Sequence, residues 1–215
     1  MSKKSLAITG LLGLLVTQLY SQSPTSYHIG LKAGLNLANF IEPNTKENLV
    51  PLYTTGIGLE QRFTPKLSAF YELLYSRQGS TIPLYNDPHY TELAIRYNYL
   101  TLPVGVRYQS RRFPFLVEGG VQAGYLLNHH QEFLPANGTT TSQGTNLKKV
   151  DIGFLAGVGY RFSSSWLIEG KYYKSLATVF RGYSGYDPVT QSYVNRPPTT
   201  RYNQVISVTL SYYVN

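Results

Sequence analysis

Cysteine is absent from this 215-residue chain. Its absence excludes disulfide bridges, thiolate-bound zinc and a cysteine nucleophile, so burial and hydrogen bonding must hold the fold together. Charge is also sparse, since Asp, Glu, Lys and Arg make up 14% of the residues. By contrast, the chain has 20 Tyr and 19 Gly. This composition favours strands with wide aromatic surfaces over charged, solvent-facing helices.

The chain also lacks an apolar run as long as a membrane-spanning helix, which needs roughly 20 residues. Its most apolar stretch runs from Leu6 to Val16 behind Lys3 and Lys4, an order typical of a secretory signal peptide. We expect residues 1–21 to be this leader and residues 22–215 to form one domain. Loss of Lys3 and Lys4 lowers the basic count from 19 to 17 against 11 acidic residues. In an exported protein, that excess favours phosphate-bearing lipid head groups over nucleic acid.

No stretch after the leader has an apolar stripe of helical period. Apolar and polar residues instead alternate with period two in eight runs, which predicts eight β-strands. In the first run, Ile29, Leu31 and Leu35 fall on one face and Lys32 and Asn36 on the other. The runs lie at 27–38, 52–62, 67–78, 95–108, 113–127, 148–162, 166–177 and 202–214.

The connections between these runs alternate strictly in length. Short turns at 63–66, 109–112 and 163–165 separate long segments at 39–51, 79–94, 128–147 and 178–201. Membrane barrels have short periplasmic turns and longer external loops. The pattern therefore predicts an all-β fold, an eight-stranded antiparallel up-and-down transmembrane β-barrel with both termini in the periplasm.

The strand face opposite the apolar one mixes glycine with charged residues. An eight-stranded ring is only wide enough for its own side chains to fill it. Because five of the ten charges are acidic and five basic, we expect them to pair inside a plugged lumen with little or no conductance. This predicted lumen charge network comprises Lys32, Glu60, Arg62, Glu72, Arg107, Glu118, Asp151, Arg161, Glu169 and Lys171.

Several short motifs carry a family resemblance. They are Glu72 to Gly79 (ELLYSRQG), Tyr99 to Pro103 (YLTLP), Glu118 to Gly120 (EGG), Gly157 to Tyr160 (GVGY) and Glu169 to Tyr173 (EGKYY). In this order they make the chain resemble the small outer-membrane β-barrel proteins, or porin family, of the Bacteroidetes type, which share the architecture of OmpA and OmpX. The resemblance implies a barrel in the outer membrane of a Gram-negative bacterium. We expect it to contact outer-membrane lipid and lipopolysaccharide, to meet the barrel assembly machinery and to be a monomer.

The last long connection mixes aromatic and basic residues that are suited to a sugar or a lipid head group. Tyrosine also favours the boundary between membrane and water, which offers a simpler explanation for these residues. The candidates for recognition by this loop are Arg181, Tyr183, Tyr186, Tyr193, Arg196 and Arg201.

No motif predicts a catalytic, cofactor or metal site. His129 and His130 are adjacent but lack further ligands at metal-binding spacing, and the sequon at Asn137 is a pattern frequent by chance. We therefore expect an interaction protein and no enzyme, with no nucleic-acid partner. Two alternatives remain open: a soluble lipocalin-like barrel that carries an apolar ligand, and a barrel-embedded lipid-modifying enzyme that uses a rim residue such as His28.

Overall fold

The computed structural model describes residues 26–41, 48–83, 90–135, 140–142, 148–178, 183–187, 192–196 and 202–214. No helix in these ranges is long and apolar enough to cross a membrane. The strands in them are β1 (Ser26–Ile41), β2 (Asn48–Arg62), β3 (Leu67–Pro83), β4 (Tyr90–Gln109), β5 (Phe115–Pro135), β6 (Thr140–Ser142), β7 (Val150–Arg161), β8 (Trp166–Thr178), β9 (Tyr183–Asp187), β10 (Ser192–Arg196) and β11 (Tyr202–Val214).

Eight of these strands close into an antiparallel ring. Its order is β1, β2, β3, β4, β5, β7, β8 and β11, and β11 pairs with β1 to complete it. Closure pairs the edge of every crossing strand, as a barrel in hydrocarbon requires. The predicted eight-stranded up-and-down barrel is confirmed.

Several strands extend further into the long connections than the sequence pattern predicts. β4 begins at Tyr90 and β5 ends at Pro135, and the short strands β6, β9 and β10 lie where no strand was predicted. At the ends of β3 and β4 the prediction failed because it relied on alternation of buried and exposed residues. Ser80 and Thr81 are both buried, as are Ala94 and Ile95, so both faces of these segments are covered.

Two further boundaries differ from the prediction. The turn between β4 and β5 occupies residues 110–114, so β5 starts at Phe115, and β7 runs from Val150 to Arg161. Backbone hydrogen bonds close this end of the barrel: the Ser110 N–H donates to Phe115 O at 3.1 Å, and the Arg161 N–H donates to Pro114 O at 2.8 Å.

Most large apolar side chains of the ring point away from its centre, whereas Phe70, Leu116 and Leu167 are among those buried inside it. Exposed and buried residues alternate along β7, where Phe154 and Val158 are 59% and 62% exposed while Asp151 and Arg161 are buried. A soluble protein rarely leaves so much contiguous apolar surface exposed. The same alternation is expected of strands whose outer face meets lipid.

Aromatic side chains gather on the outer surface near two of the three short turns, 110–114 and 162–165. Trp166 lies between Phe162, with ring centroids 6.2 Å apart, and Tyr212, at 4.9 Å. Phe115 meets Tyr160 edge-on with centroids 5.1 Å apart. Such rings are typical of a membrane–water boundary, and they mark this end of the apolar band.

Glycine on the inner side of the wall makes room for large rings in the lumen. A Cβ at Gly105 would lie 2.8 Å from Phe70 Cζ and 2.3 Å from the Gly119 carbonyl oxygen. A Cβ at Gly30 would lie 2.8 Å from Tyr213 Cδ1. Phe70 and Tyr213 are fully buried, so these glycines allow the rings to fill the interior.

This packing predicts that Gly105→Ala destabilises the barrel by about 1 to 3 kcal/mol, because the new methyl group overpacks a filled site. Gly170→Ala is the matched control, since no heavy atom lies within 4 Å of a Cβ built there. Urea unfolding of both variants in lipid vesicles gives the two free energies of unfolding. Equal losses at the two positions would show that space beside Phe70 does not set the requirement for Gly105.

Candidate functional site

Six charged side chains from five strands meet inside the ring. They occupy inward positions of the period-two pattern, which is why strands far apart in the chain bring them together. All six are buried, with exposures of 8% or less. This central cluster consists of Lys32 on β1, Glu72 on β3, Arg107 on β4, Glu118 on β5, and Glu169 and Lys171 on β8.

Glu169 accepts hydrogen bonds through both of its carboxylate oxygens. Oε1 accepts from Arg107 Nη2 and Oε2 from Lys32 Nζ. Oε2 also accepts from Ser211 Oγ at 2.8 Å, and Lys171 Nζ lies 3.5 Å from Oε1. One carboxylate on β8 thus connects β1, β4 and β11 across the lumen.

Arg107 is the corresponding centre among the cations. Its Nε donates to Glu118 Oε2 at 2.8 Å, its Nη1 to the Tyr213 hydroxyl at 3.0 Å, and its Nη2 to Glu72 Oε1 at 3.0 Å. The guanidinium carbon also lies 4.6 Å from the Phe70 ring centroid. Every guanidinium nitrogen has a partner, so this side chain is held rigidly.

Two lysines complete the central cluster. Lys32 and Lys171 each donate to Glu72 Oε1 at 2.7 Å, and Lys171 Nζ lies 4.6 Å from the Phe70 ring centroid. Three cations therefore face three carboxylates. A balanced buried set is tolerated because each charge has partners, whereas removal of one member leaves another uncompensated.

A second cluster lies toward the short turns. Arg161 Nη2 donates to Glu60 Oε1 at 2.9 Å and to Glu60 Oε2 at 2.8 Å, and Ser68 Oγ donates to Oε1 at 3.0 Å. Arg62 differs from the other predicted residues because its side chain is 31% exposed and reaches Glu60 only at 3.5 Å. It lies at the mouth of the lumen.

Asp151 belongs to a third, mostly neutral group toward the long connections. It accepts from Ser175 Oγ and from Asn203 Nδ2, the latter at 3.3 Å. Asn203 also donates to Gln78 Oε1 at 2.6 Å. Within the described ranges no ion pair reaches Asp151. The ten predicted charges thus fall into three groups, and the neutral members were missed because only charged residues were sought on the inward face.

Small spaces flank the central cluster on both sides. A cavity of about 30 Å³, lined by residues that include Glu72, Lys171 and Thr209, is large enough for about two water molecules. A vestibule of about 240 Å³ lies at the turn end between Glu60 and Lys66. In the part of the chain that the structure describes, no three His, Cys, Asp or Glu side chains are placed to hold a metal ion.

The predicted loop residues are described only in part. Tyr183 and Tyr186 lie on β9, where they pair with Arg196 and Tyr193 of β10. Arg181 and Arg201 lie outside the described residues, as do the sequon at Asn137 and the predicted leader. His129 lies on β5, and its ring stacks on Tyr97 with centroids 6.2 Å apart.

The central cluster predicts a large effect of Glu169→Gln. This near-isosteric change removes the charge that Lys32 and Arg107 share, and we expect a loss of about 3 to 5 kcal/mol in the free energy of unfolding. Arg62→Gln is the control at the mouth, where a half-exposed contact is worth less than about 1 kcal/mol. Urea titrations in vesicles compare the two, and similar losses would contradict a special role for the buried cluster.

Several solved structures align with most of this chain at low sequence identity. No curated protein matches it. Among solved structures, Ail of Yersinia pestis is 7% identical with a TM-score of 0.49 and aligns over 89% of this chain and 100% of its own. Neisserial surface protein A is 11% identical, with a TM-score of 0.40 and coverage of 88% and 99%. Outer membrane protein W of E. coli is also 11% identical, with a TM-score of 0.37 and coverage of 88% and 98%.

One family model matches most of the sequence. It describes an outer membrane protein beta-barrel domain and covers residues 18–181, more than half of the chain. The closed ring with its apolar outer face agrees with this match. The chain belongs to the outer membrane protein beta-barrel domain family.

Proposed function

We propose that this outer-membrane barrel is a non-enzymatic frame, with a lumen plugged by its own side chains and with binding specificity in its external loops. The observation that carries the proposal is the central cluster, in which Arg107, Lys32 and Glu169 join opposite walls of the ring. Charges that satisfy one another are poorly placed to bind a substrate or to pass an ion.

The plug follows from the number of strands. Eight strands enclose a space that side chains can fill, and Phe70, Arg107 and Tyr213 are all fully buried within it. An ion moving through would have to displace paired groups from a site with little water. We infer that the lumen is closed under ordinary conditions and that the barrel serves as a scaffold.

The proposed orientation places the three short turns and both termini in the periplasm. It rests on the short turns and longer external loops of bacterial outer-membrane barrels, and on the charged, then apolar start of residues 1–21 as an export signal. The barrel assembly machinery would insert the chain as a monomer, because lipid covers its outward apolar face. Outer-membrane lipid and lipopolysaccharide are the contacts that this orientation implies.

Specificity is assigned to the long connections because the scaffold holds them at one end of the barrel. In the hairpin of β9 and β10, Tyr183 pairs with Arg196 and Tyr186 pairs with Tyr193. Tyrosine and arginine together suit the ring faces and hydroxyl groups of a sugar or the phosphate of a lipid head group. Within the outer-membrane barrel family, the proposed placement of this chain among the Bacteroidetes-type members rests on the strand motifs that carry the resemblance.

The two alternatives fit the site less well. A lipocalin-like carrier would need an apolar lumen, whereas most large apolar residues of the ring point outward and the interior holds a buried cluster of charges beside its few apolar side chains. A lipid-modifying enzyme would need a catalytic partner at the rim. The hydrogen bond described for the His28 side chain joins its Nε2 to Ser26 Oγ at 3.3 Å, and a hydroxyl two residues away in an exposed strand end does not orient a base.

The plugged lumen predicts that the purified, folded protein forms no stable channels in planar bilayers. An open porin in the same bilayers is the positive control, and the shift in gel mobility on boiling verifies that the sample was folded. Lys174→Gln changes a residue on the outer surface, and this variant should likewise form no stable channels. Discrete, reproducible conductance steps from the folded wild type would overturn the plug.

Cysteine labelling in whole cells tests the orientation, since the chain has no native Cys. Thr141→Cys on β6 lies at the long-connection end and Ser164→Cys in the turn before β8 lies at the other. We expect a maleimide too large to cross the outer membrane to label the first variant and to label the second only after lysis. The reverse pattern would place the turns outside, and labelling of lysed cells controls for reactivity at both sites.

A further inference from the structure

The rim formed by the short turns carries an excess of positive charge. Lys66, Arg111 and Arg112 are exposed, and the three turns, 63–66, 110–114 and 162–165, contain no Asp or Glu. Across the described residues, no ion pair joins any of these three cations to a carboxylate. The lumen pairs its central charges with one another, whereas this rim leaves three of one sign in solvent.

The three cations lie on adjacent turns. The Gln109 N–H donates to the Lys66 carbonyl oxygen at 2.8 Å, which joins the first turn to the end of β4. Arg111 and Arg112 follow directly in the next turn, and the Arg161 N–H donates to Pro114 O at 2.8 Å to join that turn to β7. The positive charge is therefore concentrated on one arc of the rim.

This arc lies at the edge of the apolar band. Phe113 and Phe115 are 62% and 58% exposed, and both are close to the arginines in sequence. Trp166 and Tyr212 are also exposed at this end of the barrel, and rings of these two types favour the head-group level, so the turns with their cations lie at the level of lipid phosphates. Basic residues at that depth attract lipids of net negative charge.

We propose that Lys66, Arg111 and Arg112 form a binding surface for acidic phospholipid head groups in the leaflet that the turns face. The proposal deepens the proposed function and rests on its barrel being inserted in a bilayer, but it holds for either orientation. A zwitterionic lipid also has a phosphate, but the cation of the same head group balances the charge of that phosphate, so the lipid has no net charge. The rim should therefore distinguish phosphatidylglycerol from phosphatidylcholine by net charge.

The chain provides its own reporter for this selectivity. Trp166 is the single Trp, and it lies on the outer surface at the turn after β7, next to the turn that holds the arginines. The full chain is reconstituted in vesicles of equal parts phosphatidylglycerol and phosphatidylcholine, with one or the other brominated. Bromine quenches the Trp166 emission in proportion to how often that lipid is its neighbour.

We expect the brominated phosphatidylglycerol to quench more strongly, with a relative association roughly threefold above phosphatidylcholine at low salt. High salt should reduce this ratio toward one, because it screens exposed charges. The combined variant Lys66→Gln, Arg111→Gln and Arg112→Gln should lose the preference. The matched control, Lys148→Gln, Lys149→Gln and Lys174→Gln, removes three cations at the opposite end and should keep it.

The possible outcomes separate the two proposals. Equal quenching by the two lipids in the wild type, or the same loss of preference in both triple variants, would overturn the phospholipid surface while leaving the barrel intact. Absence of quenching by either lipid would mean that Trp166 does not face a bilayer, which would overturn the membrane-inserted barrel as well. The gel shift on boiling verifies folding in every sample.

Discussion

A backbone inside hydrocarbon has no water to bond, and this constraint accounts for most of the structure. Each crossing strand must find partners on both sides, so the sheet has to close, and β11 returns to β1 over thirteen register pairs. Closure in turn separates the residues of every strand into an outer and an inner set. The outer set can be apolar at no cost, while the inner set must fill a narrow space.

The narrow interior explains why so many charges are buried together. Isolated charges in a medium of low dielectric constant are expensive, and the cost falls when partners and hydrogen bonds surround them. Glu169 and Arg107 meet this condition because each contacts several strands. Their contacts also restrict how neighbouring strands can slide, since a shift of one residue would turn these side chains to the lipid face. The cluster thus couples electrostatic pairing to strand register.

The sequence predicts the ring well because each membrane-crossing strand has an apolar face toward the lipid and a more polar face toward the lumen. It predicts less at the ends of β3 and β4, where Ser80, Thr81, Ala94 and Ile95 are covered on both faces and alternation disappears. The partners of individual side chains are harder still to predict from the sequence. Lys32 and Glu169 are 137 residues apart, and their contact depends on the stagger of the closed ring, which the period of one strand does not contain. The same limit explains why Asp151 was grouped with cations that it does not contact.

The buried and the exposed charges of this protein thus differ in whether they need partners, because water surrounds only the exposed ones. In the lumen, desolvation makes pairing necessary, and the central cluster reaches it with three cations and three carboxylates. At the turn rim, water lowers the cost of an unpaired charge to a small value, so electrostatics there does not require an acidic partner. The lack of ion pairs at Lys66, Arg111 and Arg112 therefore does not indicate a less stable fold. In the proposed binding surface these three cations attract anionic groups that approach the rim, and beside aromatic rings at the edge of the apolar band those groups are lipid head groups.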